Sequence, residues 1–369
     1  MMDRRSFLKA LGAALAGCQM AAVADAAIPS ALHVPRHGAG PRMPSIKVIG
    51  IGKTGLELMH SMQSGPNALA GYVQADYLSI RFNGRITRGI ESPDLEWTVP
   101  LNYHRQHEVA DDLHNVAWAR QRIPNREREL SAYVNGADVV LLVVGLDNAM
   151  SFAACDSVAR IARESGALTV ALVGVPYGQR YEDFPAESLR IASHEAVNRL
   201  LHEADCVITA DGCWAGSQIE LVTWDWCFQS LVPQSLLSAV WRASNSGSLD
   251  SLRRVFSKSG RAVHGYGLGH SAHEAVKEAF GKGFQWFDSY NKTATAASGV
   301  VIVTGHPNSL NSMLNEVQAE LARIEPMEIP HWSGKPEMLI LVAPDDRMEV
   351  DGYFQVDIIS TGIEFVGEL

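Results

Sequence analysis

The run Gly50-Ile51-Gly52-Lys53-Thr54-Gly55 has the residue types and spacing that bring a main chain against a phosphate. Phosphate oxygens are held by backbone N–H groups at the start of a helix, and glycines permit an approach that side chains would block. An apolar strand, Ile46 to Ile49, precedes the motif, and Leu56, Leu58, Met59 and Met62 follow with helical spacing. Gly50, Gly52 and Gly55 are therefore candidate cofactor-binding residues, although a tight strand-to-helix turn uses the same spacing without a ligand. With Asp76 near the end of the next strand, the motif also fits a dinucleotide fingerprint, in which the acid bonds a ribose. An exported NAD-dependent oxidoreductase is one alternative that follows.

Three histidines, His264, His270 and His273, invite a metal reading, and the last two share a face if that stretch is helical. No carboxylate stands at a characteristic spacing from them, so they read as solvated loop histidines and no metal is assigned. The five cysteines, Cys18, Cys155, Cys206, Cys213 and Cys227, form no C-x-x-C pair, and the last four read as small buried apolar residues. A formal charge of −10 with no basic stretch in the body argues against nucleic acid as a partner.

The elements that must position these residues alternate. Strands are expected at Ile46 to Gly52, running into a glycine turn, Gly71 to Ser79, Ala137 to Gly145, Ala167 to Val175 and Cys206 to Thr209, with helices over Ala153 to Ser165 and Glu187 to Ala204. The uninterrupted apolar run Val139-Val140-Leu141-Leu142-Val143-Val144 is of the kind parallel sheets bury on both faces. The polar stretch Ser92 to Arg128 reads as helix plus loop. Beyond Trp241 the pattern changes to a smaller α+β unit: helix Ala272 to Phe280, strand Val300 to Val303, helix Leu310 to Ile324, and strands Met338 to Val342 and Phe354 to Ser360. The fold class is α/β, a Rossmann-like parallel sheet followed by an α+β domain.

The first residues read as an address. Arg4-Arg5-Ser6-Phe7-Leu8-Lys9 resembles a twin-arginine export signal, followed by an apolar run too short to cross a bilayer. Two processing sites are legible: small-x-small at Ala24-Asp25-Ala26, and Leu15-Ala16-Gly17-Cys18, which resembles a lipobox whose acylated Cys18 would be a membrane tether. The expected location is the periplasm or cell envelope, or the cytoplasm if translation starts at Met43. The divisions are an export signal over 1–27, a Pro- and Gly-rich linker over 28–44, a first domain over 45–240 and a second over 241–369.

Several stretches, in order, resemble the FtsZ/tubulin superfamily. Ile46 to Gly52 is similar to the opening strand and first phosphate loop of FtsZ, Thr87-Arg88-Gly89 to its T-R-G, and Gly136-Ala137-Asp138 to the approach of its third strand. Ile161-Ala162-Arg163-Glu164-Ser165-Gly166-Ala167-Leu168-Thr169-Val170 matches I-A-K-E-L-G-A-L-T-V almost throughout. Phe256 to Gly260, Gly265-Tyr266-Gly267, Gly299 to Gly305 and Ile359 to Gly362 resemble the second domain.

The resemblance implies a GTP-binding, self-associating protein. It also marks a departure, because Asp147-Asn148-Ala149-Met150-Ser151-Phe152-Ala153 stands where the family has G-G-G-T-G-T-G. Side chains replace the room that phosphates need, and Asp147 adds a like charge costing roughly 1 kcal/mol at about 4 Å in water. GTP binding is therefore expected to be weak or absent, with Asn148 and Asp225 as the remaining nucleotide-contact candidates. Pro233 is expected to kink or end the helix that carries Asp225. The family's N-x-D-x-x-D loop, which completes the neighbouring subunit's site, falls on Asn245-Ser246-Gly247-Ser248-Leu249-Asp250 in one register, making Asn245 and Asp250 the catalytic candidates. In the register one residue later, neither is retained. The reading is a degenerate GTPase serving as an assembly or scaffold module, with an active filament-forming cytoplasmic GTPase as the alternative.

Overall fold

The structure, a computed structural model, describes residues 44–52, 55, 56, 58, 59, 62, 75–82, 95–99, 116, 120, 123, 127–146, 149–175, 186–211, 232–245, 248–257, 261–288, 293–323, 332–344 and 354–366. The expected export signal and all but the last residue of the expected linker lie outside these residues.

Strands form where β-branched and aliphatic residues run together: β1 (Ile46–Ile51), β4 (Val139–Gly145) and β5 (Leu168–Val175), whose core positions are sealed from water. Around them stand β2 (Ala75–Phe82), β3 (Leu95–Val99) and β6 (Cys206–Asp211), joined by helices α1 (Glu127–Val134), α2 (Ala149–Glu164) and α3 (Ala186–Glu203). After α4 (Val232–Asn245) and α5 (Leu249–Phe256) come β7 (Arg261–Gly269), α6 (Ala272–Asp288), β8 (Thr293–Gly305), α7 (Leu310–Arg323), β9 (Trp332–Pro344) and β10 (Phe354–Val366). All strands join one ten-stranded sheet in the order β3-β2-β1-β4-β5-β6-β7-β10-β8-β9. Among the described strands only β10 runs against its neighbours, β7 and β8.

The alternation of strand side chains sorts the core. Ile49, Ile51, Val140, Leu142 and Val144 face α1, α2 and α3 on one side. Ile46, Val48, Val139, Leu141 and Val143 face the other, against Leu58 and Met59, α4 and α5, and the same cluster takes in Val300 and Ile302 of β8. A third cluster seats α6 and α7 on Val263, Val301, Val303, Val356 and Ile358.

The strand entries are capped by acids. The Asp138 carboxylate accepts the Ser45 amide at 2.8 Å, and that of Asp205 accepts the Thr169 amide at 2.8 Å, so each acid before one strand fixes the start of its neighbour. Gly136-Ala137-Asp138 thus has a structural explanation at this edge.

One expectation about the elements changes. Part of the stretch read as helix plus loop, Ser92 to Arg128, is the strand β3, because Leu95-Glu96-Trp97-Thr98-Val99 alternates with period two. Pro233 is the second residue of α4, a position that helices accept; the segment with Asp225, which it was expected to kink or end, lies outside the described residues. The division at 240/241 falls inside α4.

Candidate functional site

In the first six strands the order is 3-2-1-4-5-6, which reverses direction between β1 and β4. In an open parallel sheet the crevice beyond the carboxyl ends of the strands at such a switch point is where ligands bind. Gly52 and Gly55 after β1, and Leu146 and the start of α2 after β4, lie at this edge. The sixteen-residue α2 begins at this edge with no acid in its first turn, so its N-terminal dipole is uncompensated from within the helix.

The three expected cofactor-binding glycines come together here, and each has a conformational or packing reason to be glycine. Gly52 has φ 79°, in the left-handed region. A Cβ on Gly50 would stand 3.1 Å from both the Gly55 carbonyl oxygen and the Met59 sulfur. At Gly55 a Cβ would stand 2.3 Å from the Val143 carbonyl oxygen, inside any permitted contact. The spacing that reads as a phosphate cradle is also what lets the following helix lie directly on β1 and β4.

Part of the stretch that replaces the glycine loop is helical. Residues 149–153 form the first turn of α2, and Phe152 and Ala153 are buried in the core beneath it. These two side chains therefore fill the protein interior. Asp147 and Asn148 lie outside the described residues, as do Lys53, Thr54 and Asp225.

The two catalytic candidates lie elsewhere. Asn245 is the last residue of α4, and Asp250 is exposed in the first turn of α5. One turn beyond Asp250, Arg253 donates to the main-chain carbonyls of Asp138 and Gly166, both at 3.0 Å. Those carbonyls lie one and two residues ahead of β4 and β5, so α5 sits at the amino edge of the sheet, opposite the crevice. The seven residues of β4 separate the two edges by roughly 20 Å. Within one chain the expected site is thus divided between opposite ends.

Asp76 overturns the dinucleotide fingerprint. β2 extends to Phe82, so Asp76 is its second residue, beside Lys47 in the sheet and bonded to the Lys47 ammonium. It lies at the edge away from the crevice, where no ribose in the switch-point site would reach it.

Two of the histidines lie outside loops, and His273 is solvated as expected. His264 lies within β7, its side chain largely covered, with Nε2 3.0 Å from Asp357 Oδ1 on β10, and the Gln355 amide donates to the other Asp357 oxygen at 3.3 Å. His273 on α6 pairs with Glu320 on α7 at 2.7 Å. Among the described residues no three His, Cys, Asp or Glu side chains converge as a metal site. Cys155 and Cys206 are buried free thiols, and burial pushes the Cys155 pKa up to about 12 and raises that of Cys206 further.

The residue that sequence reasoning missed is Arg253. Its helix left a faint signal in the spacing of Leu249, Leu252, Val255 and Phe256, which places one apolar stripe on the core.

No family model and no curated protein matches the chain. Solved structures do. An FtsZ variant from M. jannaschii aligns with TM-score 0.66 at 17% identity, covering 87% of this chain and 91% of its own. CetZ2 from Haloferax volcanii, solved as a GTPγS-bound protofilament, aligns with TM-score 0.64 at 15% identity over 87% of this chain and 93% of its own. An FtsZ dimer from M. jannaschii, described as empty, aligns with TM-score 0.58 at 17% identity, covering 86% of this chain and 88% of that one. The chain has the fold these proteins share.

Proposed function

We propose that this chain is a self-associating protein with an FtsZ-like body and depleted nucleotide chemistry, working as an assembly or scaffold module. The observation that supports this is the division of the site. Gly50, Gly52 and Gly55 lie at one end of the chain and Asn245 and Asp250 at the other, so one copy completes a site only against the end of the next. A contact of that kind is heterologous and propagates into an open filament. The neighbours include a dimer and a protofilament of the same fold.

The depletion reading draws on the crevice. Its glycines already serve packing, and two positions of the family's glycine loop, Phe152 and Ala153, serve the core. The other reading, an active GTPase forming cytoplasmic filaments, is favoured by the GTPγS carried by the CetZ2 protofilament. The oxidoreductase reading loses its support with Asp76. Arg4 and Arg5 support export to the cell envelope, with Cys18 as a membrane tether if it is acylated.

Titration of the purified protein with labelled GTP and NAD separates these readings. The proposal expects no NAD binding and weak or no GTP binding, with affinity for GTP gained when residues 147–153 are rebuilt as a glycine-rich loop. Tight GTP binding by the unaltered protein would refute the depletion reading. Fractionation of the tagged full chain should find it in the envelope, and Arg4→Lys with Arg5→Lys should hold it inside the cell.

A further inference from the structure

We propose that Arg253 is a positioning residue: by gripping the carbonyls of Asp138 and Gly166 it fixes α5, and with it Asp250, at the end of the molecule that meets the neighbouring copy. The proposal rests on the assembly reading above and names the residue on which that end's geometry depends.

The two carbonyls are fixed points. Gly166, at φ 84°, closes α2, with its amide bonded to the Arg163 carbonyl at 2.9 Å. The Asp138 carbonyl also accepts the Leu168 amide at 3.0 Å, which ties β4 to β5. A guanidinium spans both because its donors fork, and a charged donor makes the stronger kind of hydrogen bond. It also brings positive charge to the carboxyl end of α2, where the helix dipole favours it.

The other side of α5 is held differently. The Val255 carbonyl accepts hydroxyls from Thr361 of β10 at 2.8 Å and Ser298 of β8 at 3.2 Å, and these two buried hydroxyls are themselves 2.9 Å apart. The eight-residue α5 is therefore pinned to the later strands by a carbonyl and to the earlier ones by Arg253. Leu252, Val255 and Phe256 bury the helix, but apolar contact is non-directional and leaves its slide and rotation loosely defined. The two Arg253 bonds remove that freedom. Asp250 lies one turn away on the same helix and inherits its placement. Adjacent Arg254 is exposed and bonds only within the helix among the bonds described, to the Ser251 hydroxyl at 3.1 Å, which makes it the natural control.

The test uses the purified full chain, Arg253→Met, which keeps an apolar stem and removes the donors, Arg253→Lys, whose single ammonium is too compact to span both carbonyls, and Arg254→Met. Amide exchange over residues 249–257 and the critical concentration for sedimentable assembly are measured together. Arg253→Met should raise both about tenfold or more, Arg253→Lys should fall between, and Arg254→Met should match the wild type. Exchange in Arg253→Met no faster than in Arg254→Met would overturn the grip on α5. Faster exchange with an unchanged critical concentration would overturn the positioning role. Wild-type protein that stays monomeric at every concentration would overturn the assembly reading and the positioning role with it, while the exchange measurement alone decides the grip.

Discussion

Gly55 and Val143 touch backbone to backbone: any Cβ on Gly55 would lie 2.3 Å from the Val143 carbonyl oxygen. The third glycine of the motif is therefore demanded by helix-on-strand packing before any ligand is considered. Gly55→Ala should destabilise the fold by about 2–3 kcal/mol, the cost of forcing atoms into a filled site. The loss should be the same with and without added GTP when measured by chemical denaturation. A Gly55→Ala protein of unchanged stability would show that the packing tolerates the methyl group and would return the motif to a ligand-binding explanation.

The buried pair His264 and Asp357 joins β7 to β10 on a face with little access to water. Removing the carboxylate takes the Nε2 partner away from an imidazole with little access to water, so Asp357→Ala should cost about 1–3 kcal/mol. Asp357→Asn keeps an acceptor in place and should cost less. Equal stability of wild type and Asp357→Ala in denaturant would mean the bond contributes nothing to the fold.

Burial holds the proton on Cys155 up to about pH 12, against an ordinary value of 9.0, with nearby Asp156 adding to the effect. The unfolded chain releases that proton first. The folded state therefore loses stability as pH rises from about 9 to about 12 and is unaffected by this group below that window. At pH near 8 the native thiol should resist iodoacetamide and react only on unfolding, since the thiolate is the nucleophile. Stoichiometric labelling of Cys155 in native protein, read by peptide mapping, would contradict this.

What the sequence made legible followed from how strongly each segment was patterned. Val139 to Val144 has no polar residue, so β4 could be nothing but a buried strand, and the alternation around it implied the parallel sheet. β3 was hidden because Leu95 to Val99 is five residues of alternation inside a polar stretch. Asp76 was misplaced because the end of β2 was set three residues early, at Ser79, and position along a strand decides which edge an acid occupies. Arg253 was invisible for a different reason. Its partners are main-chain carbonyls 87 and 115 residues away, and a carbonyl leaves no mark in a residue pattern.

The two ends of this molecule are expected to associate through protein surface, without nucleotide. Light scattering with negative-stain microscopy on the purified full chain, with and without GTP, tests it most directly. Polymers of the same extent are expected in both conditions. Polymers that form only with GTP and vanish in Asp250→Ala would contradict it, because the contact between copies would then be a working active site.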